Sequence, residues 1–169
     1  KDLADKDPLT GLLNRRSFMK ILKFEKNRSG RSWKPFTLIM ADIDYFKKIN
    51  DSYGHDVGDE ILIKVSKELN KSIRKSDIMC RWGGDEFLIL LPETSQSGGM
   101  DLANKLVEIF RKKAFGYSNK KIYLTMSFGV LEYKKNKNLN EFLKSKSQSR
   151  NSYKQLALFT LTPSITTFA

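Results

Sequence analysis

The sequence predicts a single α/β (α+β) domain, a mostly antiparallel central sheet flanked by helices. Three observations predict it. A long repeat of apolar residues at helical spacing runs from Val57 to Ile73, two apolar stretches face each other across Gly83 and Gly84, and a continuous apolar run, "FTLIMA", closes on carboxylates at 42 and 44. A hairpin between helical units favours an antiparallel or mixed sheet with helices packed on one face, and disfavours a doubly wound parallel sheet. With 169 residues, the chain is long enough for one real core.

Taken in order, residues 1–8 are charged and end in Asp7-Pro8, a turn or helix-start signal. Apolar residues at Leu9, Leu12, Leu13, Phe18, Ile21, Leu22 and Phe24 predict a turn and then a helix to about Lys26, with "NRSGRSWKP" as a loop. "FTLIMADID" is a buried strand with its acids at the C-terminal end. "YFKKIND" is a short helix, "SYGHD" a turn, and Val57, Ile61, Val65, Leu69 and Ile73 line one face of a long helix. "DIMCRW" and "EFLILLP" form the hairpin, "SGGMDLANKLVEIFRKKAFG" is a helix and "KKIYLTMSFGVLEY" a strand. "KKNKNLN" is a polar loop and "EFLKSKSQSRN" a short helix. The order α-β-α-α-β-β-α-β-α makes the split βαβ, ferredoxin-like arrangement the natural candidate.

Composition narrows the function classes. Hydrophobic residues make up 40% and charged residues 30%, a globular balance. No apolar run is long enough to span a bilayer. Cys80 is the only cysteine, which excludes an internal disulfide and a cysteine zinc site and fits a reducing compartment. The net charge of +12 invites an anionic partner. Its lysines are scattered with no interleaved aromatic stripe, so a nucleic-acid partner is not expected. The chain begins at Lys1, which suggests a piece of a longer protein with an upstream domain.

The candidate chemistry lies in "RWGGDEF" (81–87). If the first long strand lies beside the hairpin, Asp42 and Asp85 converge. Such a carboxylate cluster repels itself unless a cation neutralises it. Hard oxygen ligands select Mg²⁺ or Mn²⁺, completed by substrate phosphates. Gly83 and Gly84 let backbone approach a phosphate. Together these point to phosphoryl or nucleotidyl transfer. Alone, the same letters also describe a Gly-Gly turn whose acids keep a hairpin tip solvated.

"RWGGDEF" resembles the signature of the GGDEF-domain family, the bacterial diguanylate cyclases. "DPLTGLLNRR" (7–16), "DIDYFKKINDSYGHDVGDE" (42–60) and "LTMSFGV" (124–130) resemble further family motifs in the same order. The resemblance implies a palm-like fold and condensation of two GTP into cyclic di-GMP with release of two pyrophosphates, one GTP per subunit of a homodimer. Carried over, it implies metal at Asp42, the Ile43 carbonyl and Asp85, with Mg²⁺ or Mn²⁺ as cofactor. Asp85 also helps deprotonate the 3′-hydroxyl, Glu86 supports metal and substrate, and Lys47 meets the phosphates. The same resemblance implies that Asn50 and Asp59 bind guanine, with His55 near the base, Phe46 lining its pocket, and Gly83 and Gly84 admitting phosphates. Asn50 and Asp59 also read as helix caps, His55 as a turn residue and Phe46 as core. "RKSD" (74–77) resembles the family's RxxD site, which implies that Arg74 and Asp77 bind product and inhibit the enzyme; the same two residues also read as an ordinary helix end and strand start.

The resemblance departs from the family pattern after residue 130. The connection is short, Ser149 stands where the family has Gly, and only Lys146 and Arg150 keep the spacing of phosphate-contacting residues. They share a helix face, which also reads as a solvated basic surface. This bears on activity rather than fold, and it keeps a second reading open: a catalytically impaired GTP or cyclic di-GMP binding domain. The expected organisation is the end of an upstream signalling helix (1–8), a GGDEF domain with a shortened C-terminal part (9–155) and an atypical tail (156–169), either an edge strand or without fixed structure. The expected setting is the cytoplasm, beneath an upstream sensory domain.

Overall fold

The computed structural model describes residues 5–133 and the backbone of residues 165–167. Its elements are β1 (Leu13–Asn14), α1 (Arg15–Ser32), β2 (Phe36–Ile43), α2 (Phe46–Tyr53), α3 (His55–Ser72), β3 (Ile78–Gly83), β4 (Glu86–Leu91), α4 (Gln96–Lys112), β5 (Ala114–Tyr117), β6 (Lys120–Tyr123), β7 (Met126–Tyr133) and β8 (Ile165–Thr167). The main sheet runs β1-β3-β4-β2-β7-β8. Strand β4 is antiparallel to both β3 and β2, and β2 is antiparallel to β7. Thus β2 and β3 run parallel with β4 between them, and β4 and β7 run parallel with β2 between them. These are two interleaved split βαβ units, the ferredoxin-like palm that the hairpin predicted.

Helices cover both faces of the sheet, not one. Along β2, Phe36 and Leu38 join Phe18 and Leu22 of α1, whereas Ile39, Ala41 and Ile43 join Ile61, Val65 and Leu69 of α3 and Leu106 and Phe110 of α4. Strand neighbours point to opposite faces, so an apolar run without alternation needs cover on both sides. Phe18 and Leu22 are fully buried, each contributing about 1.5–3 kcal/mol by area. On the other face α4 rides close to the sheet at Gly99, where a Cβ would lie 2.5 Å from Thr37 Cγ2 and 2.9 Å from Val130 Cγ1.

Two boundaries differ from the sequence expectation. Helix α1 continues to Ser32 through the stretch expected to be a loop. One pair within the helix and two beyond it accompany the extra turns: Arg28 holds buried Glu25 one turn back at 2.6 Å and reaches Glu93 beyond β4, and Lys34 reaches Glu93 at 2.6 Å. Trp33 closes the helix in the left-handed region at φ 59°, donating its N–H to the Ser29 carbonyl. Helix α4 stops at Lys112, and residues expected to finish it form the β5–β6 hairpin. Phe115 and Ile122 pair across that hairpin and bury against α3 and α4, while Ser118 turns it at φ 52°. The expected strand 120–133 is therefore broken at Leu124–Thr125 into β6 and β7. In the tail, Ile165–Thr167 pairs parallel with β7 as an edge strand. The loop and helix expected at 134–151 lie outside the described residues.

Candidate functional site

The site forms where β2 ends and β4 begins. Register pairs Asp42 directly with Glu86, so their side chains share one face as cross-strand neighbours. Glu86 is buried and Asp42 half-buried. Asp85 occupies the turn between β3 and β4, and its carbonyl accepts the Ile43 N–H at 3.3 Å. Asp42, Ile43, Asp85 and Glu86 are thus brought together. Among the described residues no group of three or more acidic, His or Cys side chains is gathered at metal-holding distance. Two carboxylates, Asp42 and Asp85, with the Ile43 carbonyl are a donor set that suits a hard divalent ion of the Mg²⁺ kind, which takes one or two carboxylates and completes its shell with water and substrate phosphate.

Gly83 and Gly84 leave room rather than supply unusual backbone, since neither has a positive φ. A Cβ on Gly84 would meet nothing within 4 Å, and one on Gly83 would crowd Glu86 Oε2 at 3.3 Å. The turn is held by Arg81, a residue that sequence reasoning passed over. Its Nε and Nη2 donate to the Gly84 carbonyl at 2.9 and 2.8 Å, and its Nη1 lies 3.3 Å from Asp7. Asp7 in turn accepts from the Thr10 N–H and hydroxyl at 2.8 and 2.7 Å. Partial burial pushes the Asp7 carboxyl up, but the Thr10 hydrogen bonds and the Arg81 charge outweigh it, so Asp7 lies below its ordinary value. A carboxylate lowered in the folded state holds its link above the ordinary carboxylate range and loses it only as acid protonates it. The motif "DPLT" therefore reaches the glycine turn through one guanidinium. Arg81→Ala is expected to free the turn and to cost about 2 kcal/mol of stability, read by thermal melting.

Helix α2 leaves the strand through Asp44 and Tyr45. Asp44 accepts from the hydroxyls of Thr125 and Ser127, both at 2.6 Å, which ties this turn to β7. Tyr45 takes the left-handed region at φ 56°, a strained choice for an aromatic residue. Phe46 and Asn50, one turn apart, lean on α3 at Gly58, where a Cβ would lie 1.8 Å from Asn50 Oδ1 and 3.3 Å from Phe46 Cζ. Asn50 Oδ1 is buried with no hydrogen-bond partner, a costly state for a polar atom unless a ligand supplies a donor. Neither Asn50 nor Asp59 caps a helix: Asn50 lies inside α2, and α3 is capped by Gly54 without a side chain. His55 and Asp59 are exposed one turn apart on α3, next to that corner, and Lys47 is exposed on α2 without an ion pair among the described residues.

The remaining candidates lie elsewhere. Arg74 and Asp77 close a turn before β3, with Arg74 N–H donating to Asp77 Oδ2 at 2.8 Å and Asp77 N–H to the Arg74 carbonyl at 3.0 Å. This turn is at the opposite end of β3 from the glycines, about 20 Å of strand away. The Arg74 side chain is exposed. Lys146 and Arg150 lie outside the described residues.

The family described as "Diguanylate cyclase, GGDEF domain" matches residues 4–156. Diguanylate cyclase DgcP of Pseudomonas aeruginosa is 38% identical over 130 residues, 77% of this chain and 19% of DgcP. Diguanylate cyclase A of Treponema denticola is 36% identical over 135 residues, 78% of this chain and 36% of that protein. The chain thus spans well under half the length of these curated relatives. Among solved structures, diguanylate cyclase SiaD of Pseudomonas aeruginosa, in complex with its activator SiaC, superposes with TM-score 0.87 at 29% identity over 99% of this chain and 63% of that one. The GGDEF domain of DgcB from Caulobacter crescentus, in complex with c-di-GMP, shares the fold with TM-score 0.88 at 22% identity, covering 97% of this chain and 95% of that one. No helix among the described residues is long and apolar enough to cross a membrane.

Proposed function

The chain belongs to the GGDEF domain family of diguanylate cyclases, and from that premise we propose that it condenses two GTP into cyclic di-GMP as a homodimer. The observation that carries this reading is the register of Asp42 against Glu86 with Asp85 held on Ile43. It gathers carboxylates from two separate motifs at one strand end. The unpartnered Asn50 Oδ1 supports a guanine reader: as an acceptor packed at Gly58, next in sequence to Asp59, it suits the N1–H and N2–H donors of guanine and leaves adenine unmatched.

In this mechanism each subunit holds one GTP. Asn50 and Asp59 orient the base, with Phe46 and His55 beside it. Lys47, with Lys146 and Arg150, meets the phosphates, and the open space at Gly83 and Gly84 admits them. Asp42, the Ile43 carbonyl and Asp85 would hold Mg²⁺ or Mn²⁺, with Glu86 alongside. When bound, the ion offsets triphosphate charge and eases deprotonation of the 3′-hydroxyl. The Asp85 carboxylate helps accept that proton. The 3′-oxygen then bonds to the α-phosphorus of the partner's GTP and pyrophosphate leaves, and the reciprocal attack closes the ring.

Incubating the protein with GTP and Mg²⁺ tests this: cyclic di-GMP is expected, with a rate that rises faster than linearly in protein concentration at dimer-limited levels. Nucleotide binding without any dinucleotide at micromolar protein would replace the reading with an impaired GTP or cyclic di-GMP binding domain. Arg74 and Asp77 are proposed to bind the product and slow the enzyme. Arg74 offers an exposed guanidinium fork, so Arg74→Ala is expected to raise the inhibition constant for cyclic di-GMP about tenfold or more with little change in initial rate. An unshifted inhibition curve removes that site.

A further inference from the structure

On the face of α2 turned away from Asn50, the structure forms a groove of about 540 Å³ between that helix and β6. Its volume falls in the usual range for small-molecule sites. Five large apolar or aromatic side chains are well exposed among the described residues, and three of them, Tyr45, Tyr53 and Tyr123, line this one groove. Cations stand among the rings. Lys48 Nζ lies 4.5 Å over the Tyr45 ring and Lys120 Nζ 5.6 Å over Tyr53, while Lys121 and Arg111 complete the wall. The acid in the lining is Asp44, and both of its oxygens already accept from Thr125 and Ser127, while Arg111 keeps an exposed pair with Glu108 at 3.2 Å. Exposed rings beside cations match a ligand that carries a flat π-system and a negative charge together, as single-strand binding surfaces do with base and phosphate.

We propose that this groove is a second nucleotide site, in which a base stacks on Tyr123 or Tyr45 and its phosphates meet Lys48, Lys121 and Arg111. Stacking is tolerant of base identity, because every base has a π-face. The groove therefore accepts adenine nucleotides, which the Asn50–Asp59 pocket does not match. The sequence hides the site because its tyrosines and lysines come from separate segments, 45–53 and 111–125, that meet only when β6 folds against α2. A ligand there bears on the same helix that carries Asn50, from its other side. The inference stands whether or not the chain is a cyclase.

The test is calorimetric titration of the whole chain with ADP, with pyrophosphate and adenosine as the phosphate-only and base-only arms. ADP is expected to bind more tightly than either. Tyr123→Ala and Lys121→Glu, both on exposed side chains, are each expected to weaken ADP about tenfold or more, with melting temperature unchanged. Asp59→Ala is expected to leave ADP binding as it was. The proposal is overturned by absent ADP binding, by binding that both groove variants leave intact, or by binding that Asp59→Ala removes. Pyrophosphate binding as tightly as ADP would make this an anion site only. A ten-nucleotide single strand binding where ADP does not would make it a strand site.

Discussion

Asp85→Ala is expected to lower cyclic di-GMP formation by about 10³-fold or more while the protein melts within a few degrees of the parent. The two halves of this result have separate structural grounds. The stability half rests on the backbone: what ties Asp85 into the fold is its carbonyl, which accepts the Ile43 N–H, and alanine keeps that bond. The Arg81 hold on the Gly84 carbonyl is equally untouched. The activity half rests on the carboxylate. On the proposed mechanism, removing it takes away a proton acceptor and a ligand for the divalent ion that offsets the triphosphate charge, an effect of several kcal/mol, with each 1.36 kcal/mol worth tenfold. Rates of product formation and a melting curve on one preparation check both. Undiminished product would refute the assignment of Asp85, and a collapsed melting curve would mean that the side chain serves the fold.

How far the sequence reveals this site depends on the range of the interaction. Helix α3 is legible because Val57, Ile61, Val65 and Leu69 repeat its period within one segment. The hairpin is legible from the glycine pair between apolar runs. Two-sided cover of the sheet was also legible in "FTLIMA" and "LILL", which carry no alternation, and that signal outweighs the expectation of helices on one face. The length of α1 was not legible. Asn27, Ser29 and Gly30 are poor helix formers, and the contacts that accompany their helical state, Arg28 on Glu93 more than sixty positions away and the buried Ser29 hydroxyl on the Lys34 carbonyl, leave no periodic signal in the segment. The β5–β6 hairpin was hidden for a similar reason: Phe115 and Ile122 are core only because α3 and α4 lie beneath them. In the site, the acids are visible in the sequence, but their grouping is a matter of register. A shift of one residue would turn Glu86 away from Asp42. Arg81 reads as an ordinary strand residue until its contact with Asp7 is seen.

Gly58→Ala is expected to raise the KM for GTP about ten- to a hundredfold while leaving the melting temperature equal or slightly higher. Gly58 is buried inside α3, and alanine in a helix interior gains up to about 1 kcal/mol over glycine. The added Cβ would stand 1.8 Å from Asn50 Oδ1 and 3.0 Å from its Cγ. These atoms belong to the end of a side chain with two free torsions, so the amide swings away and the helices stay. What is lost is the placement of an acceptor that has no hydrogen-bond partner in the protein. An acceptor that serves only the ligand contributes to binding and specificity rather than to folding, so preference for GTP over ATP should fall together with affinity. The double variant decides the cause. If Gly58 acts through Asn50, adding Gly58→Ala to Asn50→Ala changes KM little beyond Asn50→Ala alone, and the two effects are strongly non-additive. Full additivity, or a large drop in melting temperature that Asn50→Ala does not relieve, would show that the α2–α3 contact itself had broken, and the placement of guanine at Asn50 would fail with it.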